Sequence, residues 1–264
     1  DESSWDSLFV MFATATGSVR RNRLSDFTDI RANGKIAMKM DKDDHLVRVR
    51  VFEDQDNVFL ATRNGKCIRF PVTDVRVFSG RTSTGVRGIL LTKGDEVIAM
   101  SGLKHVKEEV TVRDNYLRSV NAGRRLSGGD YTDREEDESR DKELMARLNE
   151  SQFVQMADAE EYILTVAADG MGKRTSAYDY RISKRGGKGI DSIDLKRKEK
   201  NLTTVVAIIP VVQTDELVMV SDGGQIIRMP VEGISFTGRK ARGVTLFKVS
   251  DGGRVVSVSR IRDV

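Results

Sequence analysis

The densest chemistry in the sequence lies in Ser183-Lys184-Arg185-Gly186-Gly187-Lys188-Gly189, which packs three cations and three glycines into seven residues. Glycine exposes backbone N–H groups and lets an anion approach closely, while Arg and Lys supply charge, so such a loop suits phosphate oxygens. Comparable glycine-containing stretches hold Arg31 and Lys35, then Arg81 and Arg87, then Arg239, Lys240 and Arg242. Cations recurring at one place in successive units would form a positive track. Duplex DNA carries a charge about every 1.7 Å of axis, and such a track binds it without reading sequence. Aromatic residues make up only 6% of the chain, which gives no sign of a base-stacking platform for single strands. The competing reading makes these loops plain solvated connections; their repetition weighs against it.

Catalysis finds little support. His45 and His105 have no ligand partner at metal-binding spacing. Asp41, Asp43 and Asp44 lack the glycine and distal glutamate of a calcium loop and read as a turn between strands. Cys67 alternates with apolar neighbours and reads as a small core residue. Tyr178 and Tyr180, near Lys184 and Arg185, could suggest a nucleophilic tyrosine, but strand packing is the simpler account. No Gly-x-x-x-x-Gly-Lys-Ser/Thr phosphate loop occurs. Neither a catalytic nor a metal site is expected in this chain.

The elements that must position the loops come from a chain of 264 residues with net charge +4, 39% hydrophobic and 32% charged residues. That length holds one large or two small domains. The longest apolar run, 205–212, spans eight residues and contains Pro210, far short of a bilayer span. A lone cysteine excludes an internal disulfide and fits a reducing compartment. The N-terminus shows no signal peptide and no initiator Met, which suggests a piece of something longer.

Self-comparison shows four units. Apolar strands at 9–14, 58–62, 162–166 and 217–220 each run into a turn glycine: Gly17, Gly65, Gly170 and Gly224. Asn64-Gly65 and Asp169-Gly170 are tight-hairpin signals. Four residues after each turn glycine stands an arginine: Arg21, Arg69, Arg174 and Arg228. These either contact DNA or anchor the units to each other. The basic loops follow, carrying Gly34, Gly85, Gly186 and Gly243, and a further strand closes each unit at 46–51, 97–100, 203–209 and 255–258. Turn glycines 48, 105 and 54 residues apart give a period near 50, the signature of propeller blades with four strands per unit. The units are placed at about 8–54, 57–103, 161–212 and 215–261, in an all-β domain of antiparallel blades.

The middle gap is doubled by an insertion at 104–160. Its residues 107–160 hold 9 basic and 14 acidic side chains, net −5, which leaves the other 210 residues at +9. Helix is expected at 106–120 and 142–148, disorder around 124–140, and the whole reads as a solvated acidic appendage dispensable for folding.

Taken together, Phe12-Ala13-Thr14 through Gly17-Ser18-Val19-Arg20-Arg21, Asn33-Gly34-Lys35-Ile36-Ala37-Met38, Gly65-Lys66-Cys67-Ile68-Arg69-Phe70 with Asp74-Val75-Arg76, Gly85-Val86-Arg87-Gly88-Ile89 and Gly172-Lys173-Arg174-Thr175 resemble the C-terminal domain of the A chain of DNA gyrase, a type IIA topoisomerase. The resemblance covers all four units but not the insertion. It implies a six-bladed β-pinwheel whose basic rim bends and wraps double-stranded DNA. It further implies an assembly of two A and two B subunits that introduces negative supercoils using ATP and magnesium, in the bacterial cytoplasm and associated with the nucleoid. Four units here would be four of six, the other two preceding Asp1. The family's Gln-Arg-Arg-Gly-Gly-Lys-Gly box belongs to its first blade; Ser183 to Gly189 keeps five of its seven residues, as a degenerate copy in the third unit. The topoisomerase IV A subunit, which decatenates, carries a similar domain and is the nearest alternative. A propeller scaffold for proteins, with the acidic insertion as partner site, is an alternative of another class.

Overall fold

A computed structural model describes residues 2–28, 30, 32–126, 148–196, 203–250 and 252–262, with the side chains of 125 and 126 left out. Arg31, the acidic run 133–138 and residues 142–147 of the expected second helix lie outside the described residues. The chain is mostly β, with a helical insertion between its second and third repeats.

The first repeat gives β1 (Phe9–Thr14), β2 (Ser18–Arg23) and β3 (Leu46–Phe52). The second gives β4 (Asp56–Thr62), β5 (Lys66–Pro71), β6 (Val86–Arg87) and β7 (Val97–Lys104). After the insertion come β8 (Tyr162–Ala167), β9 (Met171–Ser176), β10 (Ile190–Asp191) and β11 (Val205–Val211), then β12 (Glu216–Ser221), β13 (Ile226–Pro230), β14 (Val244–Thr245) and β15 (Val255–Ile261). β1 and β4 are buried along their whole length, as the apolar runs at 9–14 and 58–62 require; Asp56 and Asn57 at the start of β4 are buried polar residues. The turn glycines Gly17, Gly65, Gly170 and Gly224 all have φ between 78° and 88°, as the hairpin signals imply.

Strand order shows how the repeats join. The sheets run β3-β1-β2-β6, β7-β4-β5-β10, β11-β8-β9-β14 and β13-β12-β15. A repeat therefore does not complete its own sheet: β6, β10 and β14 each leave their repeat to edge the sheet before it. The sequence pattern suggested that each unit keeps its own loop strand; instead the loop and its strand pass to the preceding sheet. Each transfer starts at a register arginine. The carbonyls of Arg21, Arg69 and Arg174 accept hydrogen bonds from the amides of Phe78, Ser183 and Thr237, at 2.8, 2.8 and 2.9 Å.

The transfer also fixes which loop glycines correspond. Gly85, Gly189 and Gly243 all have positive φ, and a Cβ at each would run into the carbonyl oxygen of Val19, Cys67 or Gly172. Each of those oxygens lies two residues past a turn glycine. Only glycine fits such a close approach of one strand to another. In the third repeat the counterpart is thus Gly189, not Gly186 as spacing had suggested.

Contacts divide the chain into two compact units, one of residues 1–105 with 181–190, the other of 106–180 with 191–264. In the first, Met11, Val19, Phe52, Leu60, Phe70 and Ile89 lie in one core shared by the first two sheets. Thr16 is gripped there by Asp44, which accepts from its amide at 3.0 Å and its hydroxyl at 2.6 Å, so the Asp41–Asp44 stretch is indeed a turn. Burial opposes the effect, yet hydrogen bonds from Thr14, Thr16 and His45 hold the Asp44 carboxyl below its usual pKa.

In the second unit, Leu164, Val166, Leu217, Met219 and Val231 form the core of the last two sheets. The insertion packs beside them. Its helices are α1 (Val110–Leu126) and α2 (Glu150–Asp158). α1 begins after the acidic pair Glu108-Glu109, which suits a positive helix start, and runs six residues past the expected end. Asn149 and Gln152 form a reciprocal capping box on α2. Tyr116, Leu117 and Met156 are buried against Tyr178 of the third repeat, whose hydroxyl donates to the Met156 carbonyl at 3.0 Å. Glu160, whose side chain is 2% exposed, accepts from Arg124 and from Tyr116, both at 2.8 Å. Burial, then Glu160, push the Tyr116 phenol pKa well above its usual value. The described part of the insertion is therefore no solvated appendage. Its apolar residues pack against Tyr178, and the hydroxyl of Tyr162 in β8 donates to Glu160 at 3.3 Å, which joins it to the third sheet.

Candidate nucleic-acid interface

The basic glycine-containing loops are where the sequence pattern leads one to expect phosphate-binding cations. In the first compact unit three of them lie edge to edge. Arg81 Nη1 donates to the Ile36 carbonyl at 3.2 Å and the Lys39 amide to the Ser83 carbonyl at 3.3 Å, joining the first loop to the second. The Gly186 amide donates to the Gly88 carbonyl at 2.6 Å and the Leu90 amide to the Gly187 carbonyl at 2.9 Å, joining the second to the third. Lys35, half-buried, donates to the Asp26 carbonyl at 3.3 Å.

Within this row the cations divide by task. Arg185 faces inward: its Nε donates to the Asp74 carbonyl at 2.8 Å and its Nη1 to the Arg87 carbonyl at 3.0 Å. Arg87, Lys184 and Lys188 are exposed, and their side chains make no hydrogen bond or ion pair among the described residues. Gly189 lets the third loop lie this close, since a Cβ there would meet the Cys67 carbonyl oxygen at 2.5 Å; Gly186 has a φ of 80°, and a Cβ at Gly187 would meet only ordinary contacts.

The fourth loop belongs to the second compact unit. Arg239 donates to the Asp191 carbonyl, Arg242 pairs with Asp194 at 3.4 Å, and Lys240 is exposed without a partner among the described residues.

The register arginines behave differently from the loop cations. Arg21, Arg69 and Arg174 are buried where the sheets join. Arg21 pairs with Asp54 at 2.9 Å and stacks on Phe9 at 4.3 Å. Arg69 Nη2 donates to the Lys104 carbonyl at 2.8 Å. Arg174 donates to the carbonyls of Ile234 and Glu232 at 2.6 and 2.8 Å. Arg228, in the fourth repeat, is exposed and pairs with Glu216.

Sequence reasoning passed over a second set of cations. Arg20 and Lys173, one residue before register arginines, are fully buried. Arg20 Nη1 donates to both the carbonyl and the hydroxyl of Ser83 at 2.6 Å. Lys173 Nζ donates to the carbonyls of Gly238 and Arg239 at 2.5 and 2.6 Å. Burial, with nearby Arg76 adding to it and Asp26 opposing, lowers the Arg20 pKa from its usual value. A signal did exist. Arg20-Arg21 and Lys173-Arg174 are adjacent cations in strands that have neighbours on both sides. Successive side chains there point to opposite faces, so neither face can be apolar throughout.

The remaining chemistry candidates have structural places. Cys67 and Tyr180 are buried, and Tyr178 is tied to Met156. His105 Nδ1 lies 3.4 Å from the Asn57 amide. Among the described residues no group of three or more His, Cys, Asp or Glu side chains could hold a metal ion. No described helix is long and apolar enough to cross a membrane.

A family model described as "DNA gyrase C-terminal domain, beta-propeller" matches residues 9–53, 56–102, 161–207 and 215–262, all four repeats without the insertion. The DNA gyrase A protein of Granulibacter bethesdensis is 46% identical over 265 residues, covering 98% of this chain and 28% of the relative. That of Rickettsia bellii is 43% identical over 263 residues, with 100% and 28% covered. That of Staphylococcus aureus is 32% identical over 255 residues, with 97% and 22% covered. The chain thus spans under a third of the length of these relatives. Two solved structures share the fold: a C-terminal domain of DNA topoisomerase IV, with TM-score 0.69, 18% identity and 97% and 62% of the two chains covered, and a DNA gyrase A C-terminal domain, with TM-score 0.65, 22% identity and 97% and 67% covered. With the family model matched by every repeat, the chain belongs to the DNA gyrase C-terminal domain family.

Proposed function

We propose that this chain binds duplex DNA through its transferred basic loops, without reading base sequence, and bends or wraps it as part of a gyrase A protein. The observation that carries the proposal is the row of loops in the first compact unit. Hydrogen bonds join three successive loops side by side, and Arg87, Lys184 and Lys188 stand exposed on them with no described partner. Phosphates recur along a duplex at fixed spacing, so cations on adjoining rigid loops can neutralise several at once. Arg and Lys on glycine-rich turns make backbone contacts and leave base edges unread.

In the whole protein this activity would support ATP-dependent negative supercoiling inside the bacterial cytoplasm, with gyrase B and a second copy of gyrase A as partners. ATP and magnesium would be held outside this chain.

A salt titration of binding tests the reading, with duplexes of unrelated sequence. Affinity should be alike for all of them and fall steeply as salt rises, about 0.9 log unit per log unit of salt for each phosphate contacted. Salt-independent or undetectable binding would remove the proposal and leave a protein-binding scaffold.

A further inference from the structure

We propose that Lys173 and Arg20 are positioning residues for DNA contact: buried cations that hold the transferred loops 238–243 and 80–87 by their backbone carbonyls, so that exposed loop cations meet phosphate. The inference rests on the DNA-binding reading above.

Both residues lie three positions after a turn glycine, Arg20 after Gly17 and Lys173 after Gly170. A second polar side chain stands two residues further along each strand. Asn22 Nδ2 donates to the Phe78 carbonyl at 2.8 Å, and Thr175 Oγ1 to the Thr237 carbonyl at 3.2 Å. Each pair therefore grips one loop, at its start and at its middle. In the second sheet the same two places hold Ile68 and Phe70, both buried and unable to donate from their side chains. The loop that edges that sheet is held instead by its own Arg185. Thus each of these three loops has one cation directed at main-chain carbonyls, from below or from within.

An apolar residue would fill the place of Lys173 at lower desolvation cost. What it could not do is donate to the Arg239 carbonyl, or give a second donor to the Gly238 carbonyl, which also accepts from the Ala241 amide at 3.1 Å. Holding these oxygens fixes the path of residues 238–239, directly before Lys240.

The test uses the whole chain and a double-mutant cycle. Lys173→Met keeps length and bulk and removes the donors. It should retain a cooperative melt, weaken duplex affinity severalfold, and lower the salt slope by about one for each phosphate that is no longer neutralised. Lys173→Arg should restore both affinity and slope, because arginine does this work at position 20. In a Lys240→Ala/Arg242→Ala background, Lys173→Met should add almost nothing, since it acts through the same loop. Limited trypsin digestion reads the loop without DNA: cleavage after Arg239, Lys240 or Arg242 should be faster in Lys173→Met. If the parent chain binds no DNA, the DNA-binding reading fails, and the inference about DNA contact with it. If the parent binds, unchanged affinity and slope in Lys173→Met, or an equal loss in both backgrounds, overturns the inference alone. Should Lys173→Met not fold, Lys173→Gln, which keeps a donor, replaces it in the cycle. Loss of folding in both would show Lys173 to be a core requirement and would equally overturn it.

Discussion

The guanidinium of Arg174 lies 4.0 Å over the ring of Phe236, and the same two residues form a backbone bridge. One side chain thus marks where the fourth repeat starts to edge the third sheet, and it holds the Ile234 and Glu232 carbonyls besides. Removing it takes a donor from the buried Ile234 carbonyl and empties the buried place of the guanidinium, at about 2–4 kcal/mol. Arg174→Ala should therefore lower the melting temperature by roughly 5–10 °C. Arg228→Ala, at the matching position but exposed, should stay within about 2 °C of the parent. Thermal melts of the two variants side by side check this.

The repeat itself was legible because its signals are local. A hairpin glycine with an arginine four residues on recurs at Gly17 and Arg21, Gly65 and Arg69, Gly170 and Arg174, and Gly224 and Arg228. The exchange of loops was not legible. Val86-Arg87, Ile190-Asp191 and Val244-Thr245 are two-residue strands, too short for any alternation, and only tertiary pairing says which sheet they edge. Nor could spacing alone tell Gly186 from Gly189, since the choice depends on how closely the Cys67 carbonyl approaches. At the candidate site, cation-rich loops were evident. The inward turn of Arg185 and the buried placing of Lys173 depend on the partner carbonyls.

Gly243 tests the exchange itself. Its φ is 85°, and any Cβ would collide with the Gly172 carbonyl oxygen of β9, in the sheet that β14 edges. Gly243→Ala should destabilise the fold by about 2 kcal/mol or more, combining backbone strain with displacement of β14. Gly34, at the same place in the first repeat, has nothing within 4 Å of its Cβ position and a φ of 76°. Gly34→Ala should then cost only the backbone strain, about 1 kcal/mol. Equal destabilisation of the two variants in urea titrations would contradict the proposed fit.

Replacing residues 107–157 by a short Gly/Ser linker should weaken the second compact unit, against the expectation from charge alone. The replacement removes Tyr116, Leu117 and Met156, which cover Tyr178, and Arg124, which pairs with the buried Glu160. Each buried apolar side chain contributes about 1.5–3 kcal/mol. A lower melting temperature with β-type circular dichroism retained is the expected result. An unchanged melt would return the insertion to a mere appendage.

The central claim is that exposed cations on the transferred loops carry DNA contact. Its most direct measurement is the salt dependence of duplex binding by the parent chain and by a variant with Arg87, Lys184, Lys188 and Lys240 all changed to alanine. These side chains have no described partner, so folding should be undisturbed. If all four meet phosphate, the slope should drop by roughly three to four units, alike for every duplex sequence. A folded variant with the parent's affinity and slope would contradict the account.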